Sequence, residues 1–200
     1  LGTAATIENV KALEPTAVFL SVGGIPVRPE LPGVDGKNVV MYHEVLDGKA
    51  APTGRIAVIG GGQTGLETAE YICHNFKPEK LYIVDMLPQI GEGIYPGIFA
   101  DVMYQIMPYA PELMPGHALA GCSENSVQLI KVEDKSNVEL PVDYIVLAMG
   151  VKANKELIKQ YEDNFDRVVL MGEAFKAPGR IATSIYDGYL NAYGFDPDCG

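Results

Sequence analysis

Residues 57–72 read AVIGGGQTGLETAEYI, an apolar run that breaks on three consecutive glycines and resumes with helical character. The run starts within RIAVIG (55–60), whose unbroken apolar character is typical of a buried parallel strand. After the glycines, small and apolar residues recur at helical spacing, at Gly65, Ala69 and Ile72. The stretch therefore predicts a strand, a glycine turn and a helix.

A second strand follows closely in the sequence. The segment Lys77-Pro78-Glu79 ends the helical pattern, and LYIVD at 81–85 has the β-branched and aromatic character of the next strand. Strand, turn, helix and strand within about thirty residues predict a βαβ unit.

The glycine spacing matches a phosphate-binding turn. In Gly60-x-Gly62-x-x-Gly65 the first glycine makes the sharp turn, the second lets the backbone approach a pyrophosphate, and the third lets helix and strand pack closely. The N–H groups that open the helix would face the pyrophosphate. We derive no role for the middle glycine. The candidate cofactor-binding residues of the turn are Gly60, Gly61, Gly62, Gln63, Thr64 and Gly65.

An acidic residue ends the second strand at the spacing that such a site requires. Asp85 lies twenty residues after Gly65, where a carboxylate accepts both hydroxyls of an adenosine ribose and repels a 2′-phosphate. No arginine follows in MLPQIGEG, so the sequence favours NAD(H) over NADP(H). Asp85 and the adjacent Met86 are candidate cofactor contacts.

No side chain is predicted to be catalytic. We expect Glu67 in the first helical turn, where it gains from the helix dipole and also becomes a candidate for the nicotinamide end of the cofactor. His43, His74 and His117 are isolated in sequence, and we interpret them as structural or surface residues. The three cysteines (Cys73, Cys122, Cys199) have neither CxxC nor paired-histidine spacing, so we expect no disulfide framework and no metal site.

Bulk composition excludes several classes of partner. The 200 residues carry a formal charge of −11, which disfavours nucleic acid and anionic membranes. No apolar stretch approaches the eighteen or so residues that a membrane span needs. We therefore expect a soluble, cytoplasmic protein. Because the first residue is Leu and a strand follows closely, we also expect this chain to be part of a longer polypeptide.

The rest of the chain is predicted to alternate strands, helices and loops. We expect strands at 17–22, 38–42, 143–150 and 167–172, and a meander from the pieces 117–121 and 126–132. One helix is predicted within 96–109. A last helix from Ile181 places Ile185, Tyr189 and Ala192 on the same face as Ile181.

The order of the motifs resembles the two-dinucleotide-binding-domain flavoprotein oxidoreductases. The motifs are AVFLSVGGIPVRPELPGVDG, AVIGGGQTGLETAEYI, IVDMLPQIG, DYIVLAMGVKAN and VVLMGEAFKAPGRIATSIYDGYLNA. Within that group HEVLDGKA and VDMLPQIG are most similar to the C-terminal part of the NADH:flavin oxidoreductase/2,4-dienoyl-CoA reductase family, the long relatives of Old Yellow Enzyme. The resemblance spans about residues 17–195.

The resemblance implies an α/β fold: a Rossmann-like, three-layer β/β/α nucleotide-binding domain with a parallel sheet and a β-meander, flanked by parts of an FAD domain. Residues 54–150 would be the NAD(H) domain, 1–53 the returning FAD-domain segment, and 151–200 its C-terminal segment. SVGG and AMGV, which includes Gly150, stand at the crossings between domains. Gly172 and Glu173 stand where the family has a Gly-Asp pair that holds the flavin ribityl chain.

The resemblance also implies function. We expect an NAD(H)-binding fragment of a flavin-dependent oxidoreductase that passes hydride from NADH to flavin, with FAD bound in the intact protein and little turnover by the fragment alone. Its partners would be dinucleotides and the missing N-terminal flavin domains of the same polypeptide. The open alternatives are a disulfide or ferredoxin reductase fragment, a non-catalytic dinucleotide sensor and a methyltransferase. The absence of CxxC from 54–150 argues against the thioredoxin-reductase branch.

Overall fold

The computed structural model describes residues 1–196, so Cys199 lies outside the described residues. The chain forms two compact units. The central unit is Pro26–Gly150, and the flanking unit combines Leu1–Ile25 with the chain from Val151 onward. Within residues 1–196 no helix has the length and apolar character needed to cross a membrane.

The secondary structure alternates short strands and helices along the chain. The helices are α1 (Ile7–Lys11), α2 (Tyr42–Leu46), α3 (Gln63–Phe76), α4 (Pro96–Ile106), α5 (Lys155–Glu162) and α6 (Ile181–Tyr193), with 3₁₀ turns at Met107–Tyr109 and Gly172–Ala174. The strands are β1 (Val18–Leu20), β2 (Gly24–Pro26), β3 (Val39–Met41), β4 (Arg55–Ile59), β5 (Lys80–Val84), β6 (Glu112–Met114), β7 (His117–Cys122), β8 (Ser126–Lys131), β9 (Asn137–Pro141), β10 (Tyr144–Leu147), β11 (Val151–Ala153) and β12 (Val168–Leu170).

A five-stranded parallel sheet organises the central unit. Its strand order is β3-β10-β4-β5-β6. The register pairs Ile59 of β4 with Val84 of β5 on one side and with Leu147 of β10 on the other. The carboxyl ends of these neighbouring strands therefore lie together at one edge of the sheet, where α/β folds bind ligands.

The sheet is covered on both faces. Ile56 and Val58 face a core formed with α2, α3 and α4, whereas Ala57 and Ile59 face a second core shared with the β7-β8-β9 meander. The alternation follows from the two-residue period of a strand, and burial of both faces explains the unbroken apolar run in β4. The predicted α/β class and its three layers are confirmed.

Several elements differ from those expected from the sequence. The meander has a third strand, β9, in which Val138 and Leu140 are the half-buried positions and their neighbours are exposed. Five residues with only two apolar positions give a weak strand signal. Helix α5 was also not predicted; its N-cap Asn154 accepts a hydrogen bond from the Leu157 N–H.

The central unit begins earlier than the domain boundary placed at 54. Strand β3 lies beside β10 in the same parallel sheet as β4, and Asn38 donates from Nδ2 to the carbonyl of Ser123. These contacts place Pro26 to residue 53 in the central unit. The difference arises because sheet pairing between segments about a hundred residues apart is not visible in a local pattern.

The flanking unit is smaller and its sheet is short. Strands β1 and β12 pair in parallel, with Phe19 opposite Val169. Strands β2 and β11 form a second two-stranded pair. Its buried core, within the part of the chain that the structure describes, consists of Leu20, Ile158, Tyr161 and Ala174.

An ion pair joins the amino ends of β4 and β10. Arg55 donates from Nε and from its backbone N–H to Asp143 Oδ2, and Arg55 Nη2 lies 2.7 Å from Asp143 Oδ1. The guanidinium of Arg55, followed by its backbone N–H, lowers the pKa of Asp143 to about 2. The two side chains remain partly exposed, so solvent screens the pair.

We predict that Asp143→Asn destabilises the protein at neutral pH by ~1 kcal/mol, because it removes a bidentate, charge-assisted contact that is partly screened. A carboxyl with a lowered folded pKa stabilises above its unfolded value of 3.8 and loses that contribution as the pH falls through about 2. The stability gap should therefore be full at pH 7 and shrink below about pH 4. Urea unfolding at pH 7 and pH 3 measures it. Asp163→Asn, at an exposed pair with Lys159 at the carboxyl end of α5, is the control; an Asp143→Asn gap of equal size at both pH values contradicts the prediction.

Candidate dinucleotide-binding site

Gly60 makes the turn at the carboxyl end of β4. Its φ is +116°, a conformation that side-chain-bearing residues rarely adopt. A Cβ at Gly60 would lie 2.1 Å from the Ala148 carbonyl oxygen of the neighbouring strand end. Its N–H donates to the Val84 carbonyl at 2.8 Å. The first glycine is thus required both for backbone conformation and for space.

Gly65 and Gly62 differ in what surrounds them. A Cβ at Gly65 would lie 1.8 Å from the Gly60 carbonyl oxygen, so α3 packs against the turn at a distance that only glycine allows. A Cβ at Gly62 would meet no atom within 4 Å, and its φ of −75° is ordinary. Gly62 therefore faces open space beside the turn, as a residue that admits a ligand should.

Gly61 has a role that the sequence did not reveal. Its N–H donates to Asp85 Oδ2 at 2.6 Å, and its carbonyl accepts from the Gly91 N–H at 2.8 Å. A Cβ at Gly61 would lie 2.8 Å from Ile90 Cδ1 and 3.2 Å from Asp85 Cβ. The middle glycine is therefore the point at which the acidic residue holds the turn.

Asp85 also holds the chain that follows it. Its Oδ1 accepts from the Leu87 N–H at 2.9 Å, so each carboxylate oxygen has one backbone donor. Each oxygen has lone-pair capacity left for a further donor. The carboxylate is thus fixed at the carboxyl edge of the sheet, next to the glycine turn. Met86, the following candidate, is 59% exposed at the same edge.

Helix α3 begins at Gln63, with Gly62 as its N-cap. The first helical hydrogen bond runs from the Leu66 N–H to the Gly62 carbonyl, so the preceding N–H groups, including that of Thr64, have no partner within the helix. Glu67 is the fifth helical residue, and the expectation that it lies in the first turn is wrong. It is exposed and accepts a hydrogen bond from Gln63 Nε2 at 2.9 Å.

Gly150, which the sequence places at a crossing between domains, is the last residue of the central unit. Its φ is +82°, and its carbonyl accepts from the Val27 N–H at 2.9 Å. The chain passes between units after Ile25, next to the SVGG motif (21–24), and again after Gly150.

A cleft of about 490 Å³ lies within the flanking unit. It is lined by Ser21, Gly23, Gly172, Glu173, Gly179, Arg180, Ile181, Ser184 and Ile185. The SVGG and GEA motifs, about 150 residues apart in sequence, thus meet at one site beside the start of α6. Gly172 has a φ of +59°, and a Cβ there would lie 3.3 Å from Ser184 Oγ.

Two carboxylates hold the backbone around this cleft. Asp187 of α6 accepts from the Gly172 N–H through Oδ2 at 2.6 Å, a contact that sequence reasoning missed. Glu173 accepts from the Gly179 N–H through Oε1 at 3.0 Å. The sequence signal for Asp187 is that it is the one acidic residue of IATSIYDGYLNAY, the helix that follows GEA after a short loop.

The histidines and cysteines take structural positions. His43 and His74 pack against the rings of Tyr42 and Tyr109, respectively, and His117 Nδ1 lies 2.8 Å from the Pro115 carbonyl. Cys73 and Cys122 are buried and free, in the cores on opposite faces of the parallel sheet. Burial raises the pKa of the Cys73 thiol to about 11. No cluster of metal-ligating side chains occurs among the described residues.

A parallel sheet, a glycine turn opening a helix, and a fixed carboxylate at the next strand end define a dinucleotide-binding α/β protein. Comparison with protein families gives the particular group: the chain belongs to the pyridine nucleotide-disulphide oxidoreductase family, whose model matches residues 3–167. Family membership implies FAD and NAD(H) as cofactors.

Curated relatives and solved structures agree with this class. The chain is 30% identical to bilirubin reductase of Mediterraneibacter gnavus over 192 residues, which are 96% of this chain and 29% of that protein. It is 30% identical to NADH oxidase of Thermoanaerobacter brockii over 197 residues, 96% of this chain and 30% of that protein. A 2-naphthoyl-CoA reductase structure superposes with a TM-score of 0.83 at 22% identity, covering 98% of this chain and 29% of that chain. The chain thus spans about three tenths of the length of these proteins.

Proposed function

We propose that this chain binds NADH in the central unit and delivers its hydride to a flavin, as part of a flavin-dependent oxidoreductase. We also propose that it belongs, within its superfamily, to the NADH:flavin oxidoreductase/2,4-dienoyl-CoA reductase family. The family motifs quoted above and the relatives named NADH oxidase and bilirubin reductase support this placement.

The observation that carries the proposal is the Gly61–Asp85 hydrogen bond at 2.6 Å. It fixes a carboxylate beside a turn whose next residue, Gly62, faces open space. A pyrophosphate placed there meets the N–H groups at the start of α3, and the adenosine ribose hydroxyls donate to Asp85. The 2′-phosphate of NADPH would be repelled by the same carboxylate, so NADH is the proposed hydride donor.

The far end of the dinucleotide is assigned to the start of α3. We place Gln63, Thr64 and the exposed Glu67 toward the nicotinamide end, where the bond between Gln63 Nε2 and Glu67 holds the glutamate in place. Met86, exposed beside Asp85, is assigned to the adenosine end, and Gly150 to the same edge of the sheet. No described side chain is needed as a general acid or base, because the residues bind and orient the donor.

The flanking unit is proposed to hold part of FAD. The residues of its cleft suit a polyhydroxylated, phosphorylated ligand: hydroxyls of Ser21 and Ser184, the carboxylate of Glu173, and Gly23, where a Cβ would meet no atom within 4 Å. FAD, when bound, supplies the ring that accepts hydride. Gly172 and Glu173 are the residues that we assign to it.

The flanking unit also presents an apolar face that suits a further flavin-domain segment. Along α6, Ile181, Ile185, Tyr189 and Tyr193 are between 62% and 82% exposed. The parallel pair β1–β12 is a short sheet of a kind usually buried on both faces. Since the relatives are about three times as long as this chain, we propose that additional flavin-binding domains cover this face. The cytoplasmic location expected from the sequence stays a prediction.

The test is a calorimetric titration of this chain with NADH, NADPH and S-adenosylmethionine, followed by anaerobic addition of NADH to the flavin-loaded intact protein. We expect NADH to bind at least about tenfold more tightly than NADPH, because the 2′-phosphate is repelled, and the flavin absorbance to bleach. Binding of NADH without bleaching supports a sensor instead. Binding of the methyl donor without NADH contradicts the proposal.

A further inference from the structure

Residues 81–130, which run from β5 into β8, contain no lysine or arginine. The residues of this segment that are charged at pH 7 are all acidic: Asp85, Glu92, Asp101, Glu112 and Glu124. The rest of β4, the glycine turn and α3, at 56–76, also contain no lysine or arginine. The elements that form the proposed nucleotide site therefore bring carboxylates to it and neither an ammonium nor a guanidinium group.

Four basic residues of the central unit lie at the opposite, amino edge of the parallel sheet. They precede or begin its strands, at Lys37, Arg55, Lys77 and Lys80. Strand β5 has five residues, so about 17 Å separates Lys80 from Asp85 along the strand. That distance exceeds the Debye length of about 10 Å at 0.1 M salt. These side chains therefore do not neutralise the carboxyl edge.

Two further basic residues are paired with carboxylates. Arg28 Nη1 lies 3.1 Å from Asp35 Oδ1, and Lys49 Nζ lies 2.8 Å from Asp47 Oδ2. Each pair has no net charge, so neither offsets the carboxylates at the nucleotide site.

The last two basic residues, Lys131 and Lys135, belong to the meander. Lys131 lies opposite His117, whose N–H donates to the Asp85 carbonyl at 2.8 Å. Two strand spacings, about 10 Å, thus separate the backbones of Lys131 and Asp85. The meander covers one face of the sheet and α3 covers the other. Because the pyrophosphate is assigned to the start of α3, neither lysine is placed beside it.

Glu92 adds negative charge close to the glycine turn. The residue before it, Gly91, donates its N–H to the Gly61 carbonyl at 2.8 Å. The backbone of Glu92 is therefore within about 10 Å of Gly62, the residue next to the proposed pyrophosphate. Glu92 is exposed and forms no ion pair among residues 1–196. Its charge is thus uncompensated by the protein.

We propose that the central unit binds NADH through backbone N–H groups without a cationic side chain, so that its affinity for this anion rises with ionic strength. Glu92 is the local carboxylate that opposes binding. This inference rests on the proposed function, because it concerns the same nucleotide site. It makes occupancy of the site by NADH depend on the salt concentration, in the direction opposite to that of a site with a lysine or arginine clamp.

Two electrostatic effects of opposite sign act on the cofactor. The positive end of α3 attracts the pyrophosphate, but only over the first turn and at contact distance. The formal charge of −11 repels the cofactor over longer distances, which salt screens more strongly. Raising the salt concentration from about 10 mM to about 300 mM shortens the Debye length from about 30 Å to about 6 Å. The repulsion is therefore weakened more than the attraction.

Calorimetric titration of this chain with NADH, at about pH 8, where imidazole is neutral, tests the salt response. We expect the Kd to fall about threefold between about 10 mM and about 300 mM sodium chloride. A Kd that is unchanged or that rises with salt overturns this inference alone. If NADH does not bind at either salt concentration, the proposed function is wrong and this inference falls with it.

The variant Glu92→Gln tests the local charge. We expect it to lower the Kd for NADH about threefold at low salt, and we expect this gain to shrink at high salt. The matched control is Glu79→Gln, which changes the net charge equally at an exposed position just before β5, at the amino edge of the sheet. An equal gain in the two variants, or no gain in Glu92→Gln, overturns the assignment of Glu92.

Discussion

Replacement of Gly65 by alanine should strongly destabilise the central unit. The new Cβ would lie 1.8 Å from the Gly60 carbonyl oxygen, a backbone atom that cannot move without displacing β4 or α3. We expect a loss of more than ~3 kcal/mol, the range of severe overpacking, and a fall in Tm of about 10 °C for a chain of this size. Thermal unfolding followed by circular dichroism measures it.

Gly62→Ala is the matched control within the same turn. Its Cβ would meet no atom within 4 Å at an ordinary φ, and alanine at an N-cap costs no more than ~1 kcal/mol. Its Tm should stay within a few degrees, while NADH affinity falls at least about tenfold because the methyl group occupies space assigned to the pyrophosphate. Equal destabilisation by both variants would contradict the division of roles between the two glycines.

Replacement of Asp85 by alanine should remove most of the NADH affinity. The variant loses the ribose acceptor, and it also frees the Gly61 and Leu87 N–H groups that shape the site. Charge-assisted hydrogen bonds contribute ~1.5–3 kcal/mol each, so we expect a ~10- to 100-fold increase in the Kd for NADH. The preference for NADH over NADPH should disappear as well. Calorimetric titration with both nucleotides is the measurement.

The control for Asp85 is Asp101→Ala, an exposed aspartate on α4 in the same unit. It changes the net charge equally but removes no contact of the glycine turn. If it weakens NADH binding as much as Asp85→Ala does, the effect is one of overall charge. In that case the local assignment of Asp85 is wrong.

The βαβ unit could be predicted from sequence because its signals are local. The apolar run of β4, the glycine spacing and the aspartate at a strand end all lie within about thirty residues, and together they predict one arrangement of strand, turn, helix and strand. The role of Gly61 was not predictable, because it depends on a hydrogen bond to a residue 24 positions away whose side-chain direction follows from sheet register.

The parts that sequence reasoning missed depend on contacts over long separations. The predicted domain start at 54 lies after β3, and β3 joins the sheet only through β10, about a hundred residues later. Glu67 fell outside the first turn because α3 begins at Gln63, and a glycine-rich approach gives no sharp N-cap signal. Asp187 was passed over because its partner is a backbone N–H, which carries no side-chain identity.

The sequence predicted no disulfide framework, and the structure places Cys73 and Cys122 far from any pairing. Cys73 and Cys122 lie in cores on opposite faces of one sheet, so the sheet itself stands between their thiols. Desolvation raises the pKa of both thiols above the usual range, which opposes thiolate formation at neutral pH. These two residues therefore pack as small apolar side chains and offer no redox pair.

The most direct measurement of the central claim is the change in backbone amide chemical shifts when NADH is added to the isotopically labelled protein. The account predicts that the largest changes occur at Gly61, Gly62 and Gln63 and at the chain from Asp85 to Leu87. The same addition to Gly62→Ala should need a much higher NADH concentration. Changes that saturate with NADH elsewhere in the protein, with those amides unmoved, would show that the glycine turn is not the nucleotide site.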